Sequence, residues 1–202
     1  RRDSMRKKLK EKKLKNILDF ISEAGMLKQV QRSGWSVLGI KNAESVADHS
    51  FRCAVIGYVL AHMEDAVPYR VFLMTLFNDI HESRIFDLHK MAQRYIDGKA
   101  AENRSFSEQI GSLPKAMKDE LAGAREEYNR QKTKEGVIAR DADVLECLIQ
   151  AREYQCYGFR EAVKFMKKAP RFLKTKSAKA LWKMASVIDP NDWWFKLSTF
   201  TR

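Results

Sequence analysis

Ser45–His62, with the sequence SVADHSFRCAVIGYVLAH, decides the fold. Within it Val46, His49, Cys53, Ile56 and Leu60 recur at alternating spacings of three and four, the period of one helical face, so they form a buried stripe that includes His49. Ala, Leu, Lys, Glu, Arg and Met dominate the chain on either side, and alternation of β-branched residues is nearly absent, so helices are expected almost throughout. The expected fold class is all-α. A first helix covers about Leu9 to Ala24, with Leu14, Ile17, Leu18 and Ile21 on one face and Gly25 placed to stop it. A further helix runs from about Pro68 to Ser83, another near Lys115 to Tyr128, and a long one from Thr133 to Tyr157 closed by Gly158. Gln31 to Asn42, with Gly34, Trp35 and Gly39, reads as a loop, and Ile85 to Ile96 as a turn followed by a short helix.

At 202 residues, 45% hydrophobic and 32% charged, the chain can bury a core without disulfides or a structural metal, so one domain over 1–202 is expected and any metal would serve chemistry. Cys53, Cys147 and Cys156 have no CxxC spacing and sit in apolar helical patterns, which points to buried thiols in a reducing compartment. No apolar run reaches the roughly 18 residues of a membrane span, and the basic stretch Arg6 to Lys15 lacks the apolar core of a signal peptide; no membrane and a cytoplasmic location are the expectation. The formal net charge of +12, concentrated in Arg1 to Lys15 and Lys164 to Lys183, attracts polyanions. Lys164 to Lys179, with Phe165 and Phe172 interleaved, supports a nucleic-acid module, although basic residues on helices more often form a solvated face.

A lone histidine on an apolar stripe is usually a satisfied core residue. His49 has company, because Phe72, Leu76 and Asp79 fall in one row of the following helix and Glu82 comes three residues later, so an apolar face ends in adjacent carboxylates. Buried carboxylates are costly unless they bind a cation or are hydrogen-bonded. The long helix adds Asp141 and Asp143, and such a set can make a mixed N/O site for Mn, Fe, Co, Zn or Mg. Separate ion pairs to nearby arginines are the competing reading. His62, at a helix end, and His89 read as structural.

Glu44-Ser45-Val46-Ala47-Asp48-His49-Ser50, Leu76-Phe77-Asn78-Asp79-Ile80-His81-Glu82, Asp87-Leu88 and Ala142-Asp143-Val144-Leu145-Glu146 resemble, in that order, the blocks of the HD-domain superfamily. The nearest branch is the 5′-deoxynucleotidases and their archaeal relatives, and the likeness runs from about Asn16 to Tyr157. It implies an HD-type helical bundle, often a homodimer, that releases phosphate from a small nucleotide with one divalent metal ion, Mn, Co, Mg, Fe or Zn. The family's ligands His, His, Asp and a distant Asp fall on His49, position 78, Asp79 and Asp143. Glu82 falls on a catalytic glutamate, and Asp87 on an aspartate near the sugar that serves both catalysis and binding. Arg32-Ser33-Gly34-Trp35 resembles the loop that holds phosphate and sugar through Arg32 and Trp35; an arginine fork suits a phosphate monoester. Around this core the resemblance leaves a basic first helix, about 6–24, and a basic and aromatic extension, about 160–202, that includes Trp193 to Phe200. A helical wheel puts Asp141 at the centre of the apolar arc whereas the family pattern selects Asp143, so the two stay open.

The chain departs from the motif at Asn78, where the family has a metal-binding histidine. Asparagine offers a neutral carbonyl oxygen, which suits hard cations better than the borderline metals that imidazole favours. His81, two residues past Asp79, points to another side of a regular helix and is a poor replacement. Two readings follow, a phosphohydrolase with an altered metal site and an HD protein that binds nucleotide or metal without turnover.

Overall fold

A computed structural model of the chain describes residues 2–195 and 197, so Phe200 of the aromatic tail lies outside the described residues. Apart from one antiparallel bridge between Gln31 and Ser45, the described residues contain no strand. The chain divides into two compact units, Arg1–Phe51 with Leu76–Arg130 and Arg52–Thr75 with Gln131–Arg202.

The first unit begins with α1 (Arg2–Met26), longer at both ends than the sequence pattern predicts. Gly25 does not stop it, because among the described glycines only Gly39 and Gly158 adopt positive φ. Leu14, Leu18 and Ile21 lie on its exposed side, while Phe20 is buried and stacks on Phe77 with ring centroids 6.4 Å apart. A single helical turn, α2 (Ser33–Ser36), interrupts the expected loop, and the backbone bonds Arg32 N to Glu44 O (3.0 Å) and Val46 N to Val30 O (2.7 Å) close that loop onto the start of α3 (Val46–Met63). Ser45 and Asp48 form a reciprocal cap there, with Asp48 N donating to Ser45 Oγ (3.1 Å) and Ser45 N to Asp48 Oδ2 (2.9 Å).

The helix expected over Pro68 to Ser83 is two pieces, α4 (Pro68–Phe77) and α5 (Glu82–Ile85). Between them the bonds shorten to three-residue steps, Ile80 N to Phe77 O, Glu82 N to Asp79 O and Ser83 N to Ile80 O, which leaves the Asn78 carbonyl to a distant donor, Arg125 Nη1 at 2.9 Å. α6 (Gly98–Gly111), capped by Asp97, and α7 (Lys115–Arg130) complete the unit. Gln109 Nε2 ties α6 to both α1 and α5 by donating to Glu23 Oε2 and Ser83 Oγ, each at 2.8 Å.

In the second unit α8 (Lys134–Cys156) starts at the Thr133 cap and buries Ile138, Ala139, Ala142, Leu145 and Leu148 completely. α9 (Val163–Lys168) and α10 (Lys176–Ala185) pack against it, and α11 (Asp192–Phe195) follows. A Cβ on Gly57 would stand 3.0 Å from the side chains of Val71 and Thr75, so glycine lets α3 and α4 approach closely. Phe72, expected on the buried face of α4, is exposed, and Val71, Met74 and Thr75 are buried instead. Arg52 joins α3 to α8 through Glu146 (2.8 Å) and Glu153 (2.8 Å). Of the three thiols expected to be buried, Cys53 is, Cys147 is half-buried and Cys156 is exposed.

Candidate metal and phosphate site

Val46, His49, Cys53, Ile56 and Leu60, the stripe read from α3, are all buried as expected. His49 Nε2 points at Asp79 Oδ2, 3.5 Å away. The same oxygen lies 3.7 Å from Arg32 Nη1, and the other oxygen of Asp79 accepts from Asn78 Nδ2 at 2.6 Å. Asp79 is thus faced by an imidazole, a guanidinium and an amide, all brought from within the first unit.

Arg32 Nη1 also lies 3.6 Å from Asp87 Oδ2, which accepts a hydrogen bond from Ser33 N at 3.0 Å. Asp87 is turned back toward this loop by Phe86, whose φ of 62° with ψ of 172° is a conformation that non-glycine residues rarely adopt. Such a residue costs about 1–3 kcal/mol, strain that clusters where function requires it. Trp35, on the same loop, is 2% exposed and donates from Nε1 to Glu44 Oε1 at 2.8 Å, so its ring anchors the loop that carries Arg32.

Glu82 is buried, and its Oε2 has no hydrogen-bond partner. Burial pushes its carboxyl well above the usual carboxylate range, and the charges of Asp79 and Asp87 push it the same way against the smaller opposing pull of Arg32 and His49. Asp79 and Asp87 face one guanidinium, and Glu82, with an unpartnered buried oxygen, feels the charges of all three, so carboxylates outnumber the cation here. That donor set, with His49 and the amide of Asn78, fits a divalent cation with N/O ligands.

His81 faces away from this set, as its place two residues past Asp79 predicts. Its Nδ1 is 3.1 Å from Asn78 O and 3.3 Å from Arg125 Nη1, and burial with the Arg125 charge lowers its pKa to about 4, so it is neutral at pH 7. His89 is structural, its Nδ1 accepting from Ala92 N at 3.1 Å, and His62 packs edge-on against Tyr58.

The two aspartates of α8 separate within the second unit. Asp141 is fully buried and takes hydrogen bonds from Lys174 N (2.9 Å), Thr175 N (2.7 Å) and Thr175 Oγ1 (2.7 Å), which fix the start of α10. Asp143 is partly exposed and accepts from Arg140 Nη1 at 2.7 Å.

Sequence reasoning missed two participants. Glu44 lies inside a quoted block, but nothing local marks it as the partner of the Trp35 indole. Arg125, nearly fifty residues from Asn78, looks like one more charge on a polar helix, although its guanidinium lies over the Phe106 ring at 4.6 Å and holds the turn that presents residues 78–82.

Comparison with known proteins matches residues 24–182 to the HD domain family. The 5′-deoxynucleotidase HDDC2 of Danio rerio is 30% identical over 69% of this chain and 70% of its own length. The protein of that name from Dictyostelium discoideum is 29% identical over 70% of this chain and 79% of its own. Among solved structures, a conserved hypothetical protein of Pyrococcus furiosus is 29% identical with a TM-score of 0.71, covering 83% of this chain and 96% of that one. A Magnetospirillum magnetotacticum protein described as a predicted metal-dependent phosphohydrolase shares the fold, with a TM-score of 0.70 at 22% identity over 87% of this chain and 91% of that one. The all-helical architecture, the ordered blocks around His49 and Asp79, and a match that runs through most of the sequence agree: this chain belongs to the HD domain family.

Proposed function

We propose that this chain is a metal-dependent phosphohydrolase that releases inorganic phosphate from deoxynucleoside 5′-monophosphates. The observation that carries the reading is the pairing of Asp79 and Asp87 with the Arg32 guanidinium beside a buried Glu82 that has one oxygen unpartnered. The names of the relatives supply the substrate class. The unbroken family match across residues of both units supports treating the chain as a single HD-type domain.

One divalent ion, Mn, Co, Mg, Fe or Zn, would be held by His49, Asp79 and, on the family pattern, Asp143, with Asn78 at the fourth position. When bound, it supplies Lewis acidity toward the phosphoryl group and toward water. Arg32 binds the phosphate through its planar fork. Glu82, whose carboxyl holds its proton to higher pH than an exposed glutamate, orients the attacking water and exchanges a proton with it. Asp87, fixed by the Ser33 N–H, accepts from a sugar hydroxyl, and Trp35 keeps the Arg32 loop in place beside the sugar.

That the Asp141 carboxylate already satisfies three donors supports Asp143 rather than Asp141 as the ligand. Replacing Asp141 leaves those donors buried and unmatched at about 1–3 kcal/mol each, so Asp141→Ala should lose about 3 kcal/mol of stability and lower Tm by roughly 10 °C. Asp143→Ala should instead weaken metal binding with little change in Tm. Thermal unfolding beside metal titration checks this, and the opposite pattern would exchange the two roles.

The expected quaternary state is a homodimer and the expected location the cytoplasm, where free thiols such as the exposed Cys156 persist. Among the described residues no helix is long and apolar enough to cross a membrane. The second reading, nucleotide or metal binding without turnover, rests on Asn78. The deciding assay strips the protein of metal and measures phosphate release from deoxynucleoside 5′-monophosphates as Mn, Co and Mg are restored in turn. Metal-dependent release supports the phosphohydrolase; saturable nucleotide binding with no release under any metal selects the second reading.

A further inference from the structure

From Cys53 to Met63, α3 carries no Asp, Glu, Lys or Arg, and it is apolar on both sides. One side supplies the buried residues Cys53, Ala54, Ile56, Leu60 and Ala61 of the second unit. The other side is exposed: Val55, Tyr58, Val59 and Met63, joined by Val67 and by Phe72 of α4, each show 40–52% of their surface. Val55, Val59 and Met63 repeat every four residues, so they make one continuous ridge beside Tyr58. A helix that is hydrophobic all round is ordinarily buried, and an apolar face of this kind marks a contact surface.

The charge of the chain selects the occupant. With a net charge of +12, two copies repel wherever basic residues meet. About a two-fold axis each residue near the axis faces its own counterpart, so a charge there would oppose itself. The exposed stripe Leu14, Leu18 and Ile21 on α1 is set among Lys12, Lys13 and Lys15, and the apolar tail follows Lys176, Lys179 and Lys183. The face on α3 and α4 is free of that conflict. A different protein would be drawn by acidic groups to the basic regions rather than to this neutral one. Half-exposed side chains of this size, with their neighbours, offer on the order of several hundred Å², a substantial part of the ~800 Å² that each partner of a standard interface buries.

We propose that two copies of this chain associate through this face of α3 and α4, with Tyr58 and Val59 at its centre. The inference rests on the homodimer reading and names where that dimer forms. The test is light scattering coupled to size exclusion, across the micromolar range, on the wild type, Tyr58→Glu, Val59→Glu and, as a control on the other stripe, Leu18→Glu. Circular dichroism confirms that each variant keeps its helical content. The expected result is twice the chain mass of 23.5 kDa for the wild type and Leu18→Glu, and a monomer, with Kd raised at least about a hundredfold, for both α3 variants. A dimer that survives both α3 substitutions overturns the face and leaves the homodimer standing. A wild type that stays at 23.5 kDa overturns both. Dissociation by Leu18→Glu alone would move the contact to α1, and a monomer that binds phosphatidylserine vesicles through Tyr58 would give the face to a lipid surface; either overturns the proposal.

Discussion

Asn78→His should raise the affinity of the chain for Mn or Co by about a hundredfold or more, and its phosphate release from deoxynucleoside 5′-monophosphates with it. The amide of Asn78 now donates from Nδ2 to Asp79 Oδ1 at 2.6 Å, so a hydrogen points at an oxygen that a cation would need. Imidazole offers a lone pair of the strength that borderline metals prefer, where the amide has only a neutral carbonyl oxygen. Even residues that merely orient a ligand change affinity or activity by roughly 10–100-fold, so supplying a ligand should do at least as much.

The substitution is also clean. The Asn78 main chain is held by Arg125 Nη1 at 2.9 Å and by the neighbouring His81 ring, neither of which touches the side chain being exchanged. Isothermal titration of the metal-stripped proteins separates the outcomes. Tighter binding together with raised activity means that one missing ligand limits the chemistry of this chain. Equal affinity in both proteins would mean that position 78 does not face the metal and that the family pattern fails here. Tighter binding without phosphate release would favour the binding-only reading.

Why some of this was legible in the sequence and some was not follows from where each constraint lies. The α3 stripe is written in a period of three and four within one helix, so the burial of His49 could be read directly from the chain. The capping pair Ser45 and Asp48 is local too, and it coincides with the expected start of that helix. The break after Phe77 is not local. It depends on Arg125 taking a carbonyl that an ordinary helix would keep, and residues 78–82 look like good helix on their own propensities. The helical wheel put Asp141 at the centre of the apolar arc and it is fully buried, but what its carboxylate meets there, the backbone of Lys174 and Thr175, lies more than thirty residues on and is not written locally. Phe72 read as core because hydrophobicity says that a side chain avoids water, not which surface will cover it. The grouping of Arg32, Asp79 and Asp87 came from family order rather than from periodicity, since a loop residue has no period to betray it.

Glu82→Gln should move stability and activity in opposite directions. Burial, with Asp79 and Asp87 beside it, raises the folded-state pKa of Glu82 above its ordinary value of 4.5, so the folded protein binds this proton more tightly than the unfolded chain does. The ionised form is therefore a penalty on the native state: it is fully present above the raised pKa, shrinks as pH falls through that value, and vanishes below about 4.5, where both states are protonated. Glutamine keeps the shape and the hydrogen-bonding capacity without the charge. In metal-free buffer the variant should melt above the parent at alkaline pH, and the gap should close as pH approaches 4.5. Phosphate release should fall by about 10²–10⁴-fold, the range that a positioned acid or base contributes, in the parent and in the Asn78→His background alike. A variant that is both more stable and inactive identifies Glu82 as a group held in an unfavourable setting for its chemistry. A variant that melts lower at alkaline pH would mean that the carboxylate stabilises the fold, and one that keeps full activity would remove Glu82 from the reaction and pass the proton-transfer role to Asp87.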